Sequence, residues 1–258
     1  MSAHEHHQQR FLTVIPKADE HRDRPADSSG YAMFSTGEQG NIHVTAHRML
    51  DAGENELGHQ LLGAWLDGHT GSGSEWTHLQ WHMAVFDLSL GNWNAALARF
   101  QEQILPVVAT SFEALTDAPA LLCRLSLAAS TPATLPWKPV HSRALASMKK
   151  PRSPFVEIHN LLALAGARDF GNLDRWLQKR QVSACSETEK IVFRIAIALR
   201  SFIAGSYEAA ATTFESVIPY LSEIGGSRAQ NDLFRQLRDS ARRQSVTSES
   251  LTHELKVA

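Results

Sequence analysis

The sequence predicts an all-α protein of stacked antiparallel helical hairpins closed by a C-terminal helix. Three observations predict it. Apolar residues recur at helical spacing from about residue 38 onward, and the period-two alternation of a half-buried strand is missing. Gly, Asn and Pro interrupt the helical runs at intervals that suit hairpin turns. The 258 residues are 43% hydrophobic and 20% charged, which is enough apolar material for a sizeable core and argues against global disorder.

The elements follow in order. Residues 1–36 are polar and rich in Asp, Arg and Ser, with one apolar run from Phe11 to Pro16, and read as a poorly ordered arm that docks through that run. Residues 37–244 read as the helical domain and 245–258 as a frayed tail. Hairpins are expected at about 38–68, 75–105, 114–148, 153–181 and 187–222, with a last helix near 227–243. The clearest runs from His78 to Leu90, turns at Gly91-Asn92-Trp93, and returns from Asn94 to Ile104, with Pro106 after its end. Gly91 suits the left-handed conformation that closes a helix, and Ser72 with Glu75 suits an N-cap upstream. In the returning helix Ala96 permits close approach and Phe100, one turn on, fills the groove. The Ser130–Pro139 stretch carries three prolines and reads as a loop, since proline lacks the amide donor a helix needs.

The pattern Gly91-x-Trp93-x-x-Ala96-x-x-x-Phe100 resembles the second half of a tetratricopeptide repeat. A second copy stands at Gly205-Ser206-Tyr207 with Ala210 and Phe214, and a degenerate third at Gly53 with Gly58, Leu62 and Trp65. Such hairpins bury their apolar stripes only by stacking, which implies a tetratricopeptide-like α-solenoid. Order and spacing over roughly residues 40–243 also resemble the tetratricopeptide repeat protein 38 family, in its C-terminal portion. The resemblance is carried by His78-x-x-Trp81-His82-Met83-Ala84-Val85-Phe86, by Phe155-x-Glu157-x-His159, and by Ile224-Gly225-Gly226-Ser227-x-Ala229-Gln230-x-Asp232. The chain departs from that family in length, in Arg228 where the family has histidine, and in Glu157 where it has aspartate. The resemblance implies the fold and adds His159 and Glu157 to the candidate site.

Composition excludes several function classes. A net charge of −2 argues against a general nucleic-acid binder. No apolar stretch reaches membrane-span length and the N-terminus lacks a secretory h-region, so a cytoplasmic protein is expected. Cys123 and Cys185 are too few for a disulfide framework, and Cys185 has no local base to activate it. Gly71-Ser72-Gly73-Ser74 lacks both the phosphate-loop Gly-Lys-Ser/Thr and the spacing of a hydrolase nucleophile elbow. The His4-Glu5-His6-His7 cluster reads as incidental.

The histidines carry the functional signal. His43 and His47, and His78 and His82, are two HxxxH pairs on expected helices. A spacing of four rotates a side chain by only about 40°, so each pair shares one face and can offer two nitrogens to one metal ion. Thirteen histidines in 258 residues would give about 0.65 such pairs by chance. With Gly53 and Gly91 aligned as equivalent hairpin glycines, the four histidines fall within an arc of about 100° on first helices of neighbouring hairpins, the concave side of a tetratricopeptide stack. The register of His159 stays open by one residue, since its hairpin turns at Gly166 or its neighbour. Neither pair is HExxH, because Val44 and Leu79 stand where a zinc protease needs its Glu; Glu157, Asp87 or Glu75 would have to supply a carboxylate.

Packed side chains, a metal-free ligand face and a metal site all remain open for these residues. The expected function is a binding or scaffold protein that holds a peptide or small ligand in a concave groove lined by His43, His47, His78, Trp81, His82, Glu157 and His159. The alternative is an enzyme using a divalent metal (zinc, iron or manganese) or His acid/base chemistry in that groove, with His43, His47, His78 and His82 as metal ligands. No nucleic-acid or membrane partner is expected, and homodimerisation stays open. Arginines 228, 235, 238, 242 and 243 on the last helix read as a solvated face over the buried stripe Leu233, Phe234 and Leu237.

Overall fold

A computed structural model describes residues 37–129, 134–181 and 186–257. The expected N-terminal arm, the His4–His7 cluster and Cys185 lie outside the described residues, as does part of the proline-punctuated loop. Among the described residues the protein is all-helical, without strands. The helices are α1 Glu38–Ala52, α2 Asn55–Asp67, α3 Gly73–Ser89, α4 from Trp93–Arg99, α5 Ala118–Ala128 and α6 Trp137–Ser147. They continue with α7 Pro154–Gly166, α8 Phe170–Gln181, α9 Glu187–Ile203, α10 Tyr207–Val217 and α11 Arg228–Val257. None is long and apolar enough to cross a membrane.

The hairpin turns share one geometry. Gly53, Gly91 and Gly205 take φ of 73°, 79° and 81°, where only glycine avoids a Cβ penalty. At each, the next amide reaches back five residues to the last helical turn: Glu54 to Met49 (2.9 Å), Asn92 to Asp87 (2.8 Å) and Ser206 to Ser201 (3.0 Å). These bonds satisfy carbonyls that a helix end leaves orphaned. The α7–α8 turn is closed neither by Gly166 nor by another glycine: Arg168 takes φ 55°, with Asp169 bonded back to Leu164 at 2.9 Å. Its guanidinium donates to the Ile203 carbonyl at 2.8 Å, which holds a non-glycine residue in this conformation.

Two local expectations change. Ser72 occupies the N-cap position of α3 without a side-chain cap bond; the capping box forms instead at α9, where Ser186 and Glu189 bond reciprocally. α4 does not stop before Pro106 but widens into a π-helical turn over Phe100–Ile104 and continues through Leu105–Val108. Proline lacks the amide donor and crowds the preceding turn, and the inserted residue accommodates it.

Three core clusters join the helices. Ala46, Leu62, Leu66, Leu79, Met83 and Phe86 join α1 to α3. A second gathers Trp81, Ala96, Phe100 and Leu121 among α3, α4 and α5, and the third joins α7 and α9 to α11 around Leu162, Ile195, Phe214 and Phe234. Ala96 and Ala210 are fully buried at helix–helix contacts, as the hairpin reading requires. α6 packs chiefly on α7 rather than pairing with α5. α11 lies against α10 and crosses to α5 and α1, so the closing helix ties the last hairpin to the first. Leu233, Phe234 and Leu237 are its buried stripe, as expected, while Arg238 and Arg242 pair with Glu215 on α10. The helix runs on to Val257, past the expected end near 243, and Val246 on it is 65% exposed.

Candidate functional site

α1 and α3 carry the two HxxxH pairs, and their packing brings all four imidazoles together. His43, His47, His78 and His82 each offer one ring nitrogen, and these atoms lie within 4.8 Å of one another. Among the described residues this is the one group of His, Cys, Asp or Glu arranged to hold a metal ion. The Nε2 atoms of His43 and His47 are 2.8 Å apart. Ring centroids of His82 lie 4.4 Å from His47, 4.6 Å from His78 and 5.2 Å from His43. Exposures are 2%, 6%, 5% and 0% in chain order, so the four form an enclosed centre between helices instead of the wall of an open groove. The burial has a structural cause: α3 is covered on every side from Thr77 to Asp87.

Burial sets the electrostatics. It pushes the His43 imidazole down to about 2 and that of His47 to about 3, with neighbouring histidines adding to the shift. His82 is lowered well below the usual imidazole range, first by burial and then by His47, His78, His43 and Arg124. Near pH 7 these three rings are therefore neutral, the form that binds metal. His78 is oriented by a carboxylate: its Nδ1 donates to Asp117 Oδ1 at 2.9 Å and Oδ2 at 3.0 Å. That bond assigns the tautomer and leaves Nε2 as the unprotonated nitrogen, an arrangement also found behind metal-bound histidines. His82 is different. Both of its ring nitrogens are buried with no hydrogen-bond partner among the described residues.

Trp81 lies beside the cluster, stacked on His78 with centroids 5.4 Å apart and edge-on to His82 at 4.9 Å. Its indole Nε1 is buried and unpartnered. Arg124 of α5 covers the indole with Cζ 5.4 Å from the ring centroid. Its terminal nitrogens donate to the carbonyls of Ala120, Ala229 and Gln230, while its Nε has no acceptor. Burial lowers this guanidinium to about 10, so it stays charged at neutral pH.

Two expected members lie outside the four-histidine group, although the charges of Asp117 and Arg124 act on His159 as well. Glu157 accepts from Arg180 at 2.7 Å and from the Trp176 indole at 3.2 Å, which occupies it between α7 and α8. His159 is buried, with Nδ1 donating to the Phe155 carbonyl at 2.7 Å, and is pushed down to about 4 mainly by burial. Measured from Arg168, His159 stands nine residues before its hairpin turn, as His82 does before Gly91; the two are register-equivalent on hairpins that are not adjacent. Asp87 pairs with His59 at 2.9 Å and Arg99 at 3.3 Å rather than with the cluster. The residues sequence reasoning missed are Asp117 and Arg124. Asp117 precedes a helix with Pro at its start, a legible N-terminal signal, but nothing one-dimensional connects it to His78.

Neither a protein-family model nor a solved structure matches the chain. The site's own chemistry therefore carries the functional argument. The 2.8 Å between His43 Nε2 and His47 Nε2 is a hydrogen-bond distance, so without a metal one of these rings donates to the other, and an ion shared between them would replace that bond.

Proposed function

We propose that this protein is a metal-binding helical protein in which His43, His47, His78 and His82 hold one divalent transition-metal ion. The observation that carries the reading is His82: a fully buried imidazole with both nitrogens unpartnered, set among three others. Leaving a polar ring so placed costs about 1–3 kcal/mol, and a metal bond to one nitrogen would satisfy its acceptor. Burial of all four rings favours an ion over a peptide as occupant. An all-nitrogen, carboxylate-free set suits zinc, iron, copper or nickel, and makes manganese, which prefers oxygen, the weaker candidate.

The scaffold we infer is a tetratricopeptide-like stack. It is supported by the shared left-handed closures at Gly53, Gly91 and Gly205 and by buried Ala96/Phe100 and Ala210/Phe214 one turn apart in the returning helices. In this reading the stack places two first helices, α1 and α3, side by side so that local histidine pairs become a four-ligand set.

Elemental analysis of protein purified without an affinity tag tests the proposal. The expected result is close to one equivalent of metal per chain, falling to background in the His78→Ala/His82→Ala double variant. A wild-type protein that binds no zinc, iron, copper or nickel after dialysis against micromolar metal would rule the reading out.

A further inference from the structure

The surroundings of the four histidines are short of acceptors and of negative charge. Trp81 Nε1–H and Arg124 Nε–H can only donate, both are buried, and neither has an acceptor. A metal ion on one nitrogen of His82 leaves the other as an N–H, adding a third unmet donor beside the same two groups. Charge points the same way. The four histidines bring no carboxylate as a metal ligand, and the buried Arg124 guanidinium adds a further positive charge with no carboxylate at ion-pair distance from it among the described residues, Asp117 being paired with His78. Asp232, whose charge acts on Arg124 more strongly than that of Asp117, and Asp117 beside His78 offset part of this. Buried charge persists where a counter-charge meets it.

A cleft lies beside the site. It has a volume of about 310 Å³, opens between α3, α5 and α11, and is lined by Val85, Leu88, Leu127, Gln236, Asp239 and Arg243, with Arg124 in its wall. Arg124 thus has one side on the cleft and the other on Trp81, whose indole touches His78 and His82. Val85 lies one turn beyond Trp81 and His82 on the same face of α3.

We propose that the metal centre takes up a small oxyanion of the carboxylate or carbonate class as an exogenous ligand, delivered through the α3/α5/α11 cleft and held by Arg124 Nε–H and Trp81 Nε1–H. This rests on the metal-binding reading above. The anion supplies an oxygen to the metal and acceptors to the two donors, and its charge balances the guanidinium. Such a centre is open to ligand exchange, as a substrate-binding metal site must be, whereas a purely structural site is closed.

The test uses Co(II) as the metal and formate as the anion, in a carboxylate-free buffer with chloride matching the ionic strength. Each protein is first loaded fully with Co(II), and formate is titrated while the visible d–d bands are followed. The expected result is a saturable band shift in the wild type. Arg124→Gln should weaken formate binding about tenfold or more, as loss of a charge-assisted contact does. Trp81→Phe, which removes the N–H and keeps an aromatic ring, should weaken it severalfold. Bands indifferent to formate in loaded wild type overturn the inference while the metal reading stands. Unchanged formate affinity in both variants overturns it as well. If Arg124→Gln fails to fold by circular dichroism, Trp81→Phe decides alone. Failure of the wild type to take up Co(II) sinks the metal reading, and this inference with it.

Discussion

The His78 Nδ1 proton is shared between both carboxylate oxygens of Asp117, at 2.9 and 3.0 Å, across 39 residues of chain. Both side chains are buried, so the pair is shielded from competing water and from salt. It does two things for the centre. It holds His78 Nε2 in its unprotonated form, and in the proposed metal site it would place a negative charge behind a ligand that is otherwise a neutral base.

Asp117→Asn should therefore weaken metal binding by about 10- to 100-fold without unfolding the chain, because the amide oxygen still accepts from Nδ1 while the charge is gone. Competition against a chromophoric chelator measures this directly. Equal affinity in Asp117→Asn and wild type would mean that His78 is not a ligand.

His82 and His159 are both buried histidines in the same register position of their hairpins, yet replacement should separate them. In metal-free protein His82→Leu should change stability by less than about 1 kcal/mol, since the ring it removes has no partner to lose. The same variant should lose tight metal binding. His159→Ala should cost about 1–3 kcal/mol, through the bond to Phe155 and its packing, and should leave metal affinity near wild type. Urea denaturation with and without chelator reads both; a large loss for metal-free His82→Leu would make that histidine structural.

Much of the site was legible because its signal is local. Four-residue spacing puts each pair on one helical face whatever the rest of the chain does, and Gly53 and Gly91 are recognisable turn residues, so the relative register of the two helices followed. Partners set by tertiary packing were not legible. Glu157 resembles a site carboxylate in sequence, but Arg180 and Trp176 on the next helix claim it. Asp117 and Arg124 reach the centre from α5, on the far side of a hairpin. Depth was also hidden: α3 contains Gln80 and Asp87, polar enough to suggest an exposed side, and they are buried because Arg99 and His59 pair with them. The π-helical turn at Phe100–Ile104 follows from Pro106, yet proline by itself suggests a stop more strongly than a widened turn.

The hairpin packing has its own test. Ala96 and Ala210 are completely buried where the two helices of a hairpin meet, with Phe100 and Phe214 filling the adjacent groove. Ala96→Leu and Ala210→Leu should each destabilise by about 1–3 kcal/mol, because added methylenes in a packed contact force backbone shifts. Thermal melts of both variants coinciding with the wild type would contradict the hairpin register, and with it the alignment of α1 with α3.

The buried imidazoles also predict how stability depends on pH. In the folded, metal-free protein His43, His47 and His159 titrate near 2, 3 and 4, each lowered mainly by burial, against 6.5 for an ordinary imidazole. Below about pH 6.5 the unfolded chain therefore binds protons that the folded chain refuses, and the free energy of unfolding falls as pH falls. The loss begins near the unfolded value and continues until the folded groups titrate, with an upper limit of about 1.4 kcal/mol per pH unit for each such group. Stability should thus be flat from pH 8 to 7 and decline steadily from 6.5 to 4.5 in chelator-treated protein. His159→Gln should decline less steeply than wild type, since one of the depressed groups is gone. Metal-loaded protein should hold its stability to lower pH and then lose it over a narrower interval, when protons displace the ion from its ligands. Urea titrations at half-unit pH steps give all three curves, and a metal-free stability that rises on going from pH 6.5 to 5 would show that these histidines are not held neutral by the fold.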